Sequence, residues 1–462
     1  MPPWQSPDEF AHFGYTQTIA ERFELPGEDP GQRYSREQRL AADRANSDQL
    51  AANLVARPEW SEVQRQSWEQ ADRRLPDSAR ADGGGAETPG AGNPARPNPP
   101  LYYAYEALPY LAGSSGDVFS RLFLMRLASV LFLLVAVAAT WKLVGELLGA
   151  RPVLQLTGAA VVGLQPMAVF LSSSVNPDSM LIAAFALFLL LGVKVLRRGL
   201  TPARGVALCA CAAAAVLTKG TAYALVPAML LALGVGAARL RPGSARRLAL
   251  RVGAPLLAFG GPVAVWVGLA RLSDRPAVNE ISAGGPGAGV DFPGPLGYLW
   301  QYYLPQLPWQ TPLPGQFDRI PAFGVWLREG WAAFGWLEVI FPEPVYLLLS
   351  ALTIALLVGG ALALRRSARR RDVATVVFFV LVAGALVAGL HLTEYQAYTD
   401  RGEVVNQGRY LLPLLPILSL AAAGTLSLLS GPRRAAAAGL VVGGLFALQI
   451  FSIGLVAVRF YA

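Results

Sequence analysis

The stretch SPDEFAHFGYTQTIAE begins at Ser6 and puts Asp8, Glu9 and His12 within one and a half helical turns. Locally it reads as a helix start, with Ser6 as N-cap, Pro7 in the first helical position and Glu9 completing a capping box. Asp8 is not needed for that box, although the helix dipole favours an acid in any first turn. Asp8 and His12 are four residues apart and share a helix face, which makes His12 an orienting partner for a carboxylate. The chain holds two histidines, which excludes a His-rich metal site. Two adjacent acids alone form a weak cation site, so a divalent metal has a place to bind but is not favoured as an obligatory one, and no cofactor is required.

Four further clusters carry polar groups out of proportion to their surroundings. NPPLYYAYEALPY supplies Asn98, Tyr102 and Tyr103, and Arg121 and Arg126 follow it. As structure alone it is an extended Pro segment leading into an aromatic interfacial helix. In SSSVNPDSM, Asp178 follows Asn-Pro at another helix start, where capping is a sufficient reason for it. LTKGTAY places Lys219, one of few lysines, and NQGRYLLPLLP places Gln407, Arg409 and Tyr410 at the mouth of an apolar run.

These groups must be held by membrane helices. The 462 residues are 53% hydrophobic and 15% charged with mean hydropathy +0.40, whereas soluble domains are about 25% charged. Net charge is +8, but the arginines lie in short clusters between apolar runs. That is the positive-inside pattern rather than a nucleic-acid surface. Cys209 and Cys211 sit in one Ala-rich run on different helix faces, so neither a disulfide framework nor a zinc site follows.

From Phe119 onward about ten apolar runs approach the ~20 residues a span needs. They lie near 122–144, 153–173, 178–196, 204–218, 221–238, 247–270, 344–364, 373–391, 409–430 and 435–458. The loops KVLRRGLTPAR, RLRPGSARRLALR, RRSARRR and GPRR alternate with loops poor in arginine, which assigns the former to the cytoplasm. The other side then receives residues 1–117, both short polar turns, the aromatic loop 271–342 and the segment before Gln407. All the singled-out groups therefore share the external face. Charged groups at such positions are costly and ordinarily serve a purpose, here a site for an anionic, membrane-borne substrate. A polar tail of this length needs a preceding span to reach the outside, so we expect a further N-terminal helix and about eleven spans in all. The expected organisation is an external loop with juxtamembrane helices (1–117), a first helical bundle (118–270), an external loop of interfacial or re-entrant helices (271–342) and a second bundle (343–462). The aromatic loop serves either as membrane anchor or as a wall for a lipid tail or sugar.

In this order, PDEFAHF, NPPLYY, VNPDS, TKGTA, GWLEVIFP and QGRYLLPLLP resemble a bacterial multi-spanning family grouped with the GT-C glycosyltransferases. The resemblance covers nearly the whole chain and departs from it in the enlarged first loop and the absent first span. It implies an all-α, GT-C-like membrane bundle in the bacterial inner membrane. It also implies an external active site that transfers sugar from a polyprenyl-phosphate donor to a glycan or lipid acceptor, with membrane lipids as further partners and no nucleic acid. GT-C enzymes carry an acid in the first external loop, where Asp8 and Glu9 stand. By this resemblance Asp8 is the general base, and Arg409, Arg126, Arg121 and Lys219 are candidates for the lipid phosphate. His12, Asn98, Tyr102, Tyr103, Asp178, Gln407 and Tyr410 complete the expected substrate site. A transporter or flippase of a lipid-linked glycan, with mid-membrane charges and paired broken helices, is the competing reading. A non-catalytic envelope scaffold would leave the acids without a purpose.

Overall fold

The computed structural model describes residues 1–27, 34–45, 47, 93–240, 249–273, 293–313, 322–367, 373–401 and 407–461. In hydrocarbon every backbone N–H and C=O must find an internal partner, so long apolar runs can only become helices here. The described residues form α1 Glu9–Arg22, α2 Arg36–Arg44, α3 Leu101–Ala112, α4 Val118–Leu148, α5 Pro152–Gly163, α6 Pro166–Ser172, α7 Asp178–Arg198 and α8 Pro202–Val216. There follow α9 Val226–Ala238, α10 Ala254–Leu272, α11 Pro295–Tyr303, α12 Ala322–Trp331, α13 Glu343–Ser367, α14 Val373–Arg401, α15 Leu415–Ser427 and α16 Gly431–Tyr461. Two-turn 3₁₀ segments, Gly220–Leu225 and Gly408–Leu414, lead into α9 and α15.

Among the described residues eight helices are long and apolar enough to cross a membrane, nine if the bent pair α5–α6 is one span. That is fewer than the ten runs read from hydropathy. The difference is α8, whose 15 residues rise about 22 Å against a hydrocarbon core of about 30 Å. It nevertheless carries the chain back to the end where α7 begins, since Lys219 just beyond it reaches Asp178. The α5–α6 pair bends by 59° where Gln165 leaves the helix, Pro166 opens the next one and the Gln165 side chain accepts from Ala168 N–H.

One buried core joins both halves of the chain. Phe185, Phe188 and Leu189 of α7 belong to the same cluster as Phe378, Val382 and Leu386 of α14, and Phe188 stacks on Phe378. Gly192 accepts this crossing, because a Cβ there would lie 2.1 Å from the Phe378 ring. Between the halves, α11 and α12 are nine and ten residues long, too short to span. The turn Phe334–Val339 closes as an antiparallel bridge.

A second core caps one end of the bundle, built from Trp4, Phe13, Tyr15, Tyr102, Tyr103, Tyr110, Met125 and Val175. α1 is buried around most of its circumference, Glu9, His12 and Gln17 included, so it is an internal helix of this cap. Residues 34–45 strap it down. Gln38 Nε2 donates to Phe10 O at 2.6 Å, and only a glycine at position 14 leaves room for Gln38 and Tyr34.

The strap is fixed to α4 by an ion pair in which Arg121, 2% exposed, meets the fully buried Glu37. Its guanidinium also donates to Tyr110 Oη at 2.7 Å. Arg121→Met removes the buried cation that the Glu37 carboxylate meets and should cost about 3–5 kcal/mol. Arg198→Ala removes a pair that is 56% exposed on the arginine side and screened by water, and should leave the melting temperature almost unchanged. Thermal unfolding of both variants in one detergent checks this; equal melting shifts would contradict the assignment.

Candidate functional site

The two adjacent acids of the opening stretch face different surroundings. The local reading had Ser6 and Glu9 closing a capping box, and the structure replaces it. Helix α1 starts at Glu9, its N-cap is Asp8 at φ 60°, and the Asp8 side chain makes no cap bond. Ser6 Oγ donates instead to Ser174 Oγ at 2.9 Å. Left-handed backbone is uncommon outside glycine, although Asp tolerates it, and here it turns consecutive side chains apart. Glu9 points inward and is fully buried. Its carboxylate accepts from Arg126 Nε at 2.8 Å, Arg126 Nη2 at 2.5 Å, Val175 N–H at 3.0 Å and Trp4 N–H at 3.2 Å.

Asp8 points to the mouth of the bundle. Its side chain is 41% exposed and accepts from Arg409 Nη2 at 2.8 Å. Arg409 is held by the 3₁₀ turn that opens at Gly408, whose N–H donates to Glu329 Oε2 at 2.9 Å. This turn lies against α12 so closely that a Cβ on Gly408 would sit 2.2 Å from Gly330 N. A second pair, Lys219 to Asp178 at 2.5 Å, stands beside the first. Asn176 Oδ1 takes the helix-capping work by accepting from Asp178 N–H, which leaves the Asp178 carboxylate for Lys219. The Lys219 ammonium and the Arg409 guanidinium lie 5.0 and 5.5 Å from the Tyr410 ring centroid.

His12 backs this group of charges. Its Nδ1 is 2.9 Å from the Tyr103 hydroxyl, which also accepts from Asn98 Nδ2 at 3.0 Å, and Tyr103 is stacked on Tyr15 at 3.8 Å. Burial, with Lys219 and Arg409 nearby and against the pull of Asp8, lowers the imidazole to about 4, so it is neutral at physiological pH. Burial works against the charged form of Asp8, but Arg409 above all outweighs it and holds the carboxyl below the ordinary range. Glu329 is shifted the other way, raised by burial and only partly offset by Gly408 N–H and Arg409.

Three buried polar atoms at this site have no hydrogen-bond partner among the described residues: Arg409 Nε, Asp178 Oδ2 and Gln407 Oε1. Native structures rarely leave such atoms open, and together they mark a place for a polar ligand. No group of three or more His, Cys, Asp or Glu placed to hold a metal occurs among the described residues.

Of the residues singled out in the sequence, Asp8, Asp178, Lys219, Arg409 and Tyr410 meet directly, and His12 backs them. Asn98 and Tyr103 stand behind His12, and Gln407 joins through its own turn. Glu9 and Arg126 form the support beneath. Two fall elsewhere. Arg121 belongs to the Glu37 pair described above and does not reach this site. The Tyr102 hydroxyl turns away to Ser129 Oγ at 2.8 Å, and Ser129 donates in turn to Glu106 Oε1. Reasoning from sequence missed Glu329, which the REGW segment offered as a lone acid–base step in an aromatic run. It also missed Tyr15 and Glu106.

A described fold of long apolar helices with a charged site at one end defines a multi-pass integral membrane protein. The chain belongs to the family described as predicted membrane protein (DUF2142), whose model matches residues 1–418. No curated protein sequence matches it. Among solved structures it is similar to ArnT from Cupriavidus metallidurans in the apo state, at 16% identity over 79% of this chain and 61% of that one, with a TM-score of 0.42. The same protein bound to undecaprenyl phosphate is matched at 18% identity over 78% of this chain and 53% of that one, TM-score 0.38. The archaeal oligosaccharyltransferase AglB from Archaeoglobus fulgidus, in complex with an inhibitory peptide and a dolichol-phosphate, is matched at 11% identity over 99% of this chain and 52% of that one, TM-score 0.47. The chain thus spans about half to three fifths of the length of these structures. All three scores are below 0.5, too loose a likeness to carry residue roles across.

Two buried groups set opposite pH limits on stability. The unfolded chain protonates His12 near the ordinary 6.5, whereas the folded protein resists to about 4, so stability falls as pH drops through that window. Glu106, fully buried, keeps its proton to about 8 instead of the ordinary 4.5, so stability falls as pH rises from 4.5 to 8. Between pH 4.5 and 6.5 the two effects oppose each other in wild type, so unfolding measured over that range should expose a loss of stability as pH rises in His12→Gln and a loss as pH falls in Glu106→Gln. Curves parallel to wild type in both variants would refute these assignments.

Proposed function

We propose that the protein is a GT-C-type inverting glycosyltransferase working at the outer face of the bacterial inner membrane. It takes a sugar from a polyprenyl-phosphate donor and transfers it to an acceptor hydroxyl in cell-envelope glycan synthesis. The observation that carries this reading is the half-exposed Asp8 carboxylate on a buried Arg409, with Lys219 at the same mouth and open hydrogen-bonding atoms between them. The motif order that resembles GT-C enzymes supports it.

In this reading the acceptor hydroxyl gives its proton to Asp8 as its oxygen bonds to the anomeric carbon. The bond from that carbon to the phosphate oxygen breaks, and polyprenyl phosphate leaves with the electron pair. Arg409, preferred for its two-pronged fork, and Lys219 neutralise the charge that develops on the leaving phosphate. An arriving phosphate competes with Asp8 for Arg409, and a carboxylate released from its cation becomes the stronger base. A positioned base of this kind supplies roughly 10²–10⁴-fold. Glu9, fully satisfied by four donors, is assigned to holding Asp8 in place, and Arg126 to holding Glu9.

The transporter reading has one observation in its favour, the broken span α5–α6. Its break, however, carries Gln165, which donates to Gly330 O, and no ionisable residue.

Incubation of purified protein with a panel of polyprenyl-phosphate sugars tests the proposal. Wild type should release polyprenyl phosphate, and Asp8→Asn should not, although it folds and binds lipid. Arg409→Ala should raise the donor KM about tenfold or more while sparing acceptor use. Glu9→Gln should lose stability by about 3 kcal/mol, since Arg126 is left without its charge partner, yet turn over in the folded fraction. Release by Asp8→Asn at the wild-type rate would remove the base; binding of lipid-linked glycan without release from any donor would favour the transporter.

A further inference from the structure

The end of the bundle away from Asp8 holds a feature that sugar transfer does not use. A crevice of about 320 Å³ opens between the last turns of α4 and α13, the first turns of α14 and the length of α15. That is within the range of small-molecule pockets, about 300–1,000 Å³. Its walls are Leu357, Leu364, Phe379, Val380 and Leu420, and Arg197 lines the same crevice. Leu357, Leu364 and Val380 are 47%, 41% and 63% exposed, so the crevice is open sideways along a span and faces the hydrocarbon.

Charge at this end is one-sided. Arg197 and Arg198 end α7, Arg365 and Arg366 end α13, and Arg433 and Arg434 begin α16. Among the described residues the carboxylate at this end is Glu146, and it is paired with Arg198 at 2.5 Å. Arg197 donates to the carbonyls of Glu146 and Leu147, which fixes its exposed guanidinium beside the crevice. An apolar slot with Arg197 in its wall and further arginines at the same end of the bundle matches a molecule with a hydrocarbon tail and an anionic head.

A second helix is a poor fit. The small residues along the floor are already used inside the molecule, since a Cβ on Gly360 would meet Ala421 Cα at 2.7 Å and Gly424 lies against Gly360. They are not an open stripe for another chain to pack on.

We infer that this crevice is a binding site for an anionic phospholipid, with one acyl chain between α13, α14 and α15 and the phosphate on Arg197 and Arg365. Basic groups at a membrane surface favour anionic over zwitterionic lipid, and two of them yield a preference of about tenfold or more. The site does not depend on the catalytic reading, and its test reads no turnover.

Native mass spectrometry of the purified protein, in detergent with equal concentrations of dioleoyl-phosphatidylglycerol and dioleoyl-phosphatidylcholine, is the experiment. Wild type should retain one phosphatidylglycerol about tenfold more strongly than phosphatidylcholine. Arg197→Ala with Arg365→Ala should abolish the preference, and the crevice-filling Val380→Trp, at an exposed position, should reduce retention of both lipids. Glycerol phosphate, which has the head without the tails, should not displace the bound lipid. Equal retention of the two lipids by wild type, an unchanged preference in the arginine double variant, displacement by glycerol phosphate, or a dimer held through this face in place of the lipid would each overturn the inference.

Discussion

Glu9 is a carboxylate sealed from water that takes four hydrogen bonds, and the cap of the bundle depends on it. Two come from Arg126 in the span α4, one from Val175 in the turn before α7 and one from Trp4 in its own segment. Three stretches of chain far apart in sequence are therefore referred to one charged group. A buried ion pair gains little over a well-packed apolar contact, but removing one partner is expensive. The pair is thus better understood as a fixture than as a source of stability. What it fixes is Asp8, the next residue, which the left-handed turn directs the opposite way.

The same economy runs through the rest of that end. Each strongly buried charge has an opposite charge: Arg121 with Glu37, Lys219 with Asp178, Arg409 with Asp8. Exposure separates them. The Arg121–Glu37 pair is closed on both sides and joins strap to span, while the Asp8–Arg409 pair is open on the carboxylate side. A group that is paired but half-exposed can exchange its partner, and a sealed one cannot. This contrast, with the open atoms of Arg409, Asp178 and Gln407, distinguishes the proposed site from the surrounding scaffold.

The hydropathy pattern was enough to place the spans, because long apolar stretches in lipid have one low-energy solution. It overcounted at α8, where an apolar run stops short and only the contact of Lys219 with Asp178 shows which end it reaches. Motif order brought together most of the site. Local rules failed where partners are distant. Ser6 and Glu9 satisfy a capping box on paper, yet Glu9 is claimed by an arginine 117 positions away. Arg121 and Arg126 look equivalent in the sequence, but five residues rotate a helix by roughly 140° net, so they serve different networks. Glu329 carried little signal beyond being a lone acid in an aromatic run, because its role is to receive a backbone N–H from a turn that is remote in the chain.

The central claim is that Arg409 and Lys219 form the seat of a lipid phosphate with Asp8 across from it. Its most direct test is an experimental structure of the protein in nanodiscs with a bound polyprenyl-phosphate sugar. The account predicts the phosphate in hydrogen-bonding contact with Arg409 and Lys219, and the Asp8 carboxylate facing the acceptor side of the anomeric carbon. A phosphate seated elsewhere, with the Asp8–Arg409 pair intact beside it, would contradict the account.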